Sequence, residues 1–408
     1  MNDTEHKLSN TKSYVLVFLL FVAFTTFLKL PTLNYTHQEP DELIYMQLAR
    51  QLLEKGEYTL QGTETLKKLS PNMYDRPLFH HPPLYPIMLT PFVWTGKEHL
   101  AVITSWIGHI MCIAAVAIFA WTITIRVTGP KGPFQPCFWI PLLGISLDPI
   151  LVFVSRKIWI DNVLAGFVAL SISMVLLSRY SRYRRLFLCG SGILLGLAGL
   201  TKLTGLIAVP LITFLILQNR QPDQQDRRVA LLWVFIPAAV MVIPWFIIFQ
   251  AKCGVLLPTW AVADNWLIER YPFVKAFLNR PLYYYPWKLL LLSPILFLTG
   301  YWIYSSPAVR KDPDSHVSLA WLSLFLIAIT YISASGVGYL MRHITASVPA
   351  IYILTSVGLS CNEKKQPLSV MLSVLLISYS TATSCIYLLM PKVDEISSFF
   401  EVIGMTAR

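Results

Sequence analysis

The sequence is poor in charge. Of its 408 residues only 13% are charged, while 55% are hydrophobic. A soluble globular domain carries roughly 25% charged residues. So few charges cannot cover the water-facing surface of so long a chain, which excludes an ordinary soluble enzyme. Cysteines are few as well: Cys112, Cys137, Cys189, Cys253, Cys361 and Cys385. They show no paired spacing, and most fall in or beside apolar runs, so neither a disulfide framework nor a zinc site is indicated. Strict apolar–polar alternation is missing too, which argues against barrel strands. There is no P-loop or dinucleotide fingerprint, leaving a soluble nucleotide donor without support. No internal repeat or low-complexity linker stands out, so a single membrane domain over 1–408 is the economical expectation.

What is present is a series of long apolar runs, such as 14–28, 101–125 and 231–249. A helix needs about 20 mostly apolar residues to cross the hydrocarbon core. The reading is an all-α polytopic membrane protein with about eleven spans, near 14–30, 101–126, 137–154, 162–178, 186–200, 203–218, 230–250, 286–304, 317–333, 344–360 and 368–389. The first has a charged leader but no small-residue cleavage site and reads as an uncleaved anchor.

The formal charge of +11 does not signal nucleic acid. The basic residues sit in short clusters between spans: Lys7 and Lys12; Arg126 and Lys131; Arg179, Arg182, Arg184 and Arg185; Arg220, Arg227 and Arg228; Arg310 and Lys311; Lys364 and Lys365. All fall on one side if the N-terminus is cytoplasmic, as the positive-inside rule requires. The proline-interrupted stretch 84–94 would flip every later loop if it crossed, so it reads as interfacial or re-entrant. The opposite side then receives a large first loop (31–100), a short loop at 155–161, a second large loop (251–285) and the turn 334–343.

Chemistry-bearing residues gather on that opposite side. The first loop carries Pro40-Asp41-Glu42, followed by an amphipathic helix over 43–55 closed by Gly56. Its apolar face holds Ile44, Tyr45, Leu48, Ala49, Leu52 and Leu53, which suits a membrane interface. Asp41 reads either as the helix N-cap or as a catalytic carboxylate, and the two are compatible. Next come Arg76 and His80-His81-Pro82-Pro83-Leu84-Tyr85-Pro86, where neighbours on an extended segment are expected to point apart. The histidines are thus not expected to share a metal, and the segment serves as anion site or polar hinge. The short loop holds Ser155-Arg156-Lys157, then Asp161 just before an apolar span, a functional candidate by default. Lys202 stands alone in a long apolar run and needs a partner or water; the flanking glycines permit a broken helix, tolerated where protein buries it or where it lines a cavity. Arg342 lies at an external span end, where its guanidinium suits a phosphate.

The order Pro40-Asp41-Glu42, amphipathic helix, His81-Pro82-Pro83-Leu84-Tyr85-Pro86 resembles the GT-C membrane glycosyltransferases. It is most similar to their protein O-mannosyltransferase-like group, which includes the aminoarabinose and galacturonic acid transferases of lipid A. Ser155-Arg156…Asp161 resembles that group's second external loop, Gly196-Leu197-Ala198…Thr201-Lys202 its glycine-lysine segment, and Arg342 its late arginine. The correspondence covers roughly residues 14–350. It implies a polyprenyl- or dolichyl-phosphate sugar donor, a membrane lipid environment, and a protein, lipid or glycan acceptor. It also implies inversion at the anomeric carbon. No cofactor is required, and a divalent metal is left open. Asp41 maps to the catalytic base and Asp161 to a positioning carboxylate, with Glu42 beside them. Lys202, Arg342, Arg156, Arg76 and His81 are the candidate donor-phosphate ligands. One departure is plain: several relatives carry Glu-Lys where His80-His81 stand. The competing readings are a transporter or lipid flippase, which would also hold intramembrane charges, and a non-catalytic assembly subunit.

Overall fold

The structure, a computed structural model, describes residues 2–37, 39–61, 67, 74, 76–128, 132–218, 224–257, 280–334, 339–362 and 366–390. Within these residues the helices are, in chain order, α1 (Asn2–Lys29), α2 (Pro40–Lys55), α3 (Leu84–Trp94), α4 (Ile103–Thr128), α5 (Pro136–Ser146), α6 (Pro149–Ser155), α7 (Asp161–Leu177) and α8 (Arg184–Thr201). They continue with α9 (Ala208–Gln218), α10 (Gln224–Cys253), α11 (Tyr284–Leu292), α12 (Ile295–Ser305), α13 (Pro307–Lys311), α14 (Pro313–Ile332), α15 (Val348–Cys361) and α16 (Gln366–Leu389). Among the described residues there is no strand.

Among the described residues seven helical stretches are long and apolar enough to cross a membrane, and two bent pairs bring the number to nine. The expected count of eleven is therefore not reached by this measure. The span expected at 137–154 is α5 and α6, bent by 43° around Leu147-Asp148. The one expected at 286–304 is α11 and α12, bent by 102°; Pro294 stands at that break and cannot supply the missing helical N–H. The remaining two coincide with shorter apolar helices, Asp161–Leu177 and Leu203–Gln218. Lys131, Arg220, Lys364, Lys365 and most of the loop expected at 251–285 lie outside the described residues.

Helix α15 forms the middle of the bundle. Every residue from Val348 to Ser360 is buried, and α4, α5, α12 and α14 pack around it. Helix α4 also packs along α7, and α8 along both α7 and α10. The α4–α7 contact depends on Gly108: a Cβ there would lie 2.4 Å from the Asn162 carbonyl carbon and the Val163 nitrogen. Absence of that carbon lets the start of α7, and with it Asp161, sit directly against α4.

The first loop builds a second, smaller core over this bundle. Ile44, Tyr45, Leu48, Leu60, Phe79, Tyr85 and Leu89 bury against Ile158 and Ile160 of the second loop and Trp245 and Phe249 of α10. Here the structure corrects the expected amphipathic helix. Helix α2 has the expected apolar face, but Glu42, Gln47 and Gln51 on its other side are buried too. The two glutamines find a partner within the loop itself: the side-chain amides of Gln47 and Gln51 both donate to the Gln61 carbonyl. Arg50 forks onto Glu98 at 3.0 and 2.5 Å. The helix is packed under protein, against α3, rather than laid bare on lipid. Eleven residues of α3 at 1.5 Å each are too short to span, and Trp94 at its end is exposed.

Candidate functional site

Helix α2 begins earlier than its apolar pattern suggests. Glu39 is the N-cap, and its backbone N–H donates at 3.1 Å to Glu42 Oε2 in a capping box. Asp41 is thus in the first turn and not the cap, so its carboxylate is not consumed by capping. Glu42 is consumed. It is 1% exposed, and its Oε1 accepts from His37 Nδ1 at 2.8 Å and from the Ile158 backbone N–H at 2.9 Å. Expected as a catalytic partner of Asp41, Glu42 instead fastens the first loop to the second. Lys157 pairs with Glu39 across the same seam.

The second loop delivers Asp161 as the first residue of α7. Lys202 reaches it from a break in the chain. Helix α8 stops at Thr201, Lys202 is fully extended, and a 3-10 turn over Leu203–Ile207 leads into α9. Gly205 permits that tight return, since a Cβ would lie 2.6 Å from Ala198 backbone atoms. The break permitted by the glycines flanking the lysine is therefore present. Lys202 Nζ lies 3.3 Å from Asp161 Oδ1. Arg342 comes from a 3-10 turn over Met341–Ser347 that precedes α15. It pairs with Asp41 through Nη2 and approaches Asp161 Oδ2 through Nε at 3.8 Å. Thr345 Oγ1 donates to the Arg342 carbonyl at 2.9 Å and to the Asp161 carbonyl at 3.3 Å, tying the two segments together.

Two carboxylates and two cations from four separate segments thus form one chain of ion pairs: Asp41, Arg342, Asp161, Lys202. Their exposures differ in a way that assigns tasks. The Asp161 side chain is 3% exposed and lies between both cations, whereas that of Asp41 is 35% exposed. Of the two carboxylates, Asp41 is the more accessible to an incoming group.

The histidines line the same site. Contrary to the extended-segment expectation, the His80 and His81 rings lie against each other, with centroids 4.1 Å apart. The Pro82-Pro83 corner leads directly into α3, so the segment turns instead of running extended. Burial drives the His80 imidazole down to about 3, with the Lys202 charge adding to the effect and Asp41 opposing it. Burial lowers His81 well below the usual range, reinforced by His80, Lys202, Arg342 and His343. Both are neutral at neutral pH. His81 Nδ1 lies 3.1 Å from the Tyr45 hydroxyl, whose own ionisation burial pushes far up, with Asp41 and Asp161 adding to the shift. Among the described residues no three His, Cys, Asp or Glu side chains are grouped to hold a metal ion.

Two expected ligands are not brought in. Arg156 is fully buried; it donates to the carbonyls of Tyr387 and Met390, both at 3.0 Å, and stacks on Phe153. It anchors the end of α16. Arg76 is exposed on the first loop. Three residues not singled out from the sequence do belong: Tyr45, Trp159, on which Arg342 stacks at 4.4 Å, and His343, 3.2 Å from the Tyr285 hydroxyl. Tyr45 was findable, since it lies four residues after Asp41 and thus on the same helix face.

This architecture, with a charged cluster at one end of a helical bundle under a packed first loop, is a fold shared with solved structures. The chain is similar over 91% of its length to ArnT from Cupriavidus metallidurans. The match to ArnT bound to undecaprenyl phosphate has a TM-score of 0.63 at 16% identity and covers 70% of that chain. The match to its apo state has a TM-score of 0.57 at 15% identity and covers 74% of it. The apo oligosaccharyltransferase of Archaeoglobus fulgidus is more distant, with a TM-score of 0.50 at 11% identity over 92% of this chain, which spans 56% of that longer protein. No family model and no curated protein sequence matches the chain.

Proposed function

We propose that the protein transfers a sugar from a polyprenyl- or dolichyl-phosphate donor to an acceptor at the extracytoplasmic face of its membrane, inverting the anomeric centre. The carrying observation is the convergence of Asp41, Asp161, Lys202 and Arg342 at one end of the bundle. The fold shared with ArnT, whose structure contains undecaprenyl phosphate, supports a lipid-phosphate donor. In this reading Asp41 takes the proton from the acceptor hydroxyl or amine as its lone pair attacks the anomeric carbon. The bond to the phosphate oxygen breaks, and its electron pair leaves with the lipid phosphate. Lys202 and Arg342 stabilise that phosphate as charge builds on it, while Asp161 keeps both cations in place. A Tyr45 hydroxyl donating to His81 Nδ1 leaves Nε2 carrying the proton, so His81 serves as a neutral donor and not as a charge. Acceptors compatible with this chemistry are a protein hydroxyl, a lipid or a glycan. The same reading treats residues 1–408 as one membrane domain with a cytoplasmic N-terminus, in the plasma membrane of a prokaryote or the endoplasmic reticulum of a eukaryote.

The test is incubation of the purified protein with a panel of radiolabelled polyprenyl-phosphate sugars and candidate acceptors. At least one donor should yield labelled product, and a panel without any turnover would remove the proposal. Sidedness is separately testable with cysteines at positions 41 and 364 and an impermeant thiol reagent. Position 41 should label in sealed, right-side-out cells; labelling at 364 would invert the orientation.

A further inference from the structure

Arg342 is shared by two carboxylates, so charge alone does not fix where its guanidinium rests. It pairs with Asp41 and lies 3.8 Å from Asp161. Another of its contacts is not ionic: the guanidinium carbon sits 4.4 Å from the ring centroid of Trp159. That ring is held firmly. Trp159 is 4% exposed. The Ser105 hydroxyl donates to its carbonyl at 2.8 Å and accepts from its N–H at 3.3 Å. Phe153 meets the ring edge-on at 5.6 Å. The preceding residue, Ile158, is pinned by the Glu42 carboxylate at 2.9 Å. A rigid aromatic platform therefore carries the one cation that bridges the two carboxylates.

A phosphate entering this site competes with Asp41 for the same guanidinium, because both are oxyanions that fit its planar fork. Exchange of one oxyanion for the other changes the ionic partner but leaves the stacked face unaffected. We propose that Trp159 is the positioning residue for Arg342: it keeps the guanidinium in place while Arg342 passes from Asp41 to the donor phosphate. That passage frees the Asp41 carboxylate to accept the acceptor's proton. The inference rests on the lipid-phosphate donor reading given above, and it adds an order of events in which donor binding precedes deprotonation.

The test measures binding of unlinked polyprenyl phosphate, by calorimetry in detergent, to the wild type, Trp159→Leu, Trp159→Phe, Arg342→Ala and the double variants. Without the tryptophan face the phosphate must itself order the guanidinium, so Trp159→Leu should weaken binding by roughly tenfold. Trp159→Phe keeps an aromatic face and should lose less. In the Arg342→Ala background, Trp159→Leu should cause no further loss, because the tryptophan acts only through the arginine. Wild-type affinity in Trp159→Leu, or losses that simply multiply in the double variant, would overturn the proposal while leaving the donor reading intact. If Trp159→Leu does not fold, Trp159→Phe in the two Arg342 backgrounds decides by the same criterion. A wild type that binds no polyprenyl phosphate would overturn the donor reading and this inference with it.

Discussion

The two ends of the helix bundle use the same residue types to opposite effect. At one end Arg126, in the last turn of α4, pairs with Asp312 at 2.6 Å and Asp314 at 2.8 Å. Both carboxylates come from a single helix start, where Asp312 also caps α14 by accepting from the Asp314 N–H at 2.9 Å. Asp314 is 2% exposed. At the other end Arg342 likewise holds two carboxylates, but these come from different loops, and Asp41 stays 35% exposed. The first arrangement is a staple whose groups are all occupied by the fold. The second leaves one carboxylate and the edge of a cation open to a third party. Openness and the number of separate segments recruited, not the presence of charge, distinguish a site from a structural ion pair here.

The largest expected effect breaks the open end. Replacing Lys202 and Arg342 together by alanine should weaken polyprenyl phosphate binding by about a hundredfold or more, since each charged hydrogen bond contributes roughly 1.5–3 kcal/mol. The same calorimetric measurement on Arg126→Ala should give wild-type affinity. If both variants lose binding alike, the contrast between the ends is illusory.

A smaller effect belongs to the staple. Arg126→Ala leaves Asp314 buried without its cation. Breaking a fully buried pair costs about 3–5 kcal/mol; with the Arg126 side chain 29% exposed, solvent screening reduces this, and a loss of about 2 kcal/mol is expected. Thermal or denaturant unfolding in detergent checks it. Lys202→Ala should move the unfolding midpoint less than Arg126→Ala does.

The smallest effect, counted per pH unit and per histidine, is a pH dependence. His80 and His81 are neutral in the fold because burial lowers both, whereas in the unfolded chain they titrate near 6.5. Below about pH 6.5 the unfolded state therefore binds protons that the folded state does not, and stability falls as pH drops toward 3. Each histidine contributes at most about 1.4 kcal/mol per pH unit. His81→Gln should flatten the slope of unfolding midpoint against pH between 4 and 6; an unchanged slope would remove His81 as a buried neutral group.

The helical bundle and the charged end were legible in the sequence for a simple physical reason. Apolar runs set spans, and a lysine such as Lys202, isolated in one, needs a partner that only a folded cavity supplies. Gly56 closing α2, with its φ of 67°, followed from the same kind of local rule. What the sequence concealed was pairing at long range. Nothing local distinguishes Glu42 from Asp41, yet one is tied to Ile158, 116 residues away, and the other is not. Arg156 looked like a phosphate ligand because its carbonyl partners Tyr387 and Met390 lie more than 230 residues downstream. Likewise, the covered polar side of α2 depends on Gln61 and Glu98, which a helical wheel of α2 alone does not contain.

The most direct test of the account is single-turnover sugar transfer by Asp41→Asn with donor and acceptor saturating. Asparagine keeps the shape of the side chain, and because Glu39 rather than Asp41 caps α2, the fold should hold. With the proton acceptor gone, transfer should fall by about a hundredfold or more while polyprenyl phosphate still binds. Turnover near the wild-type rate would contradict the account and place the base elsewhere.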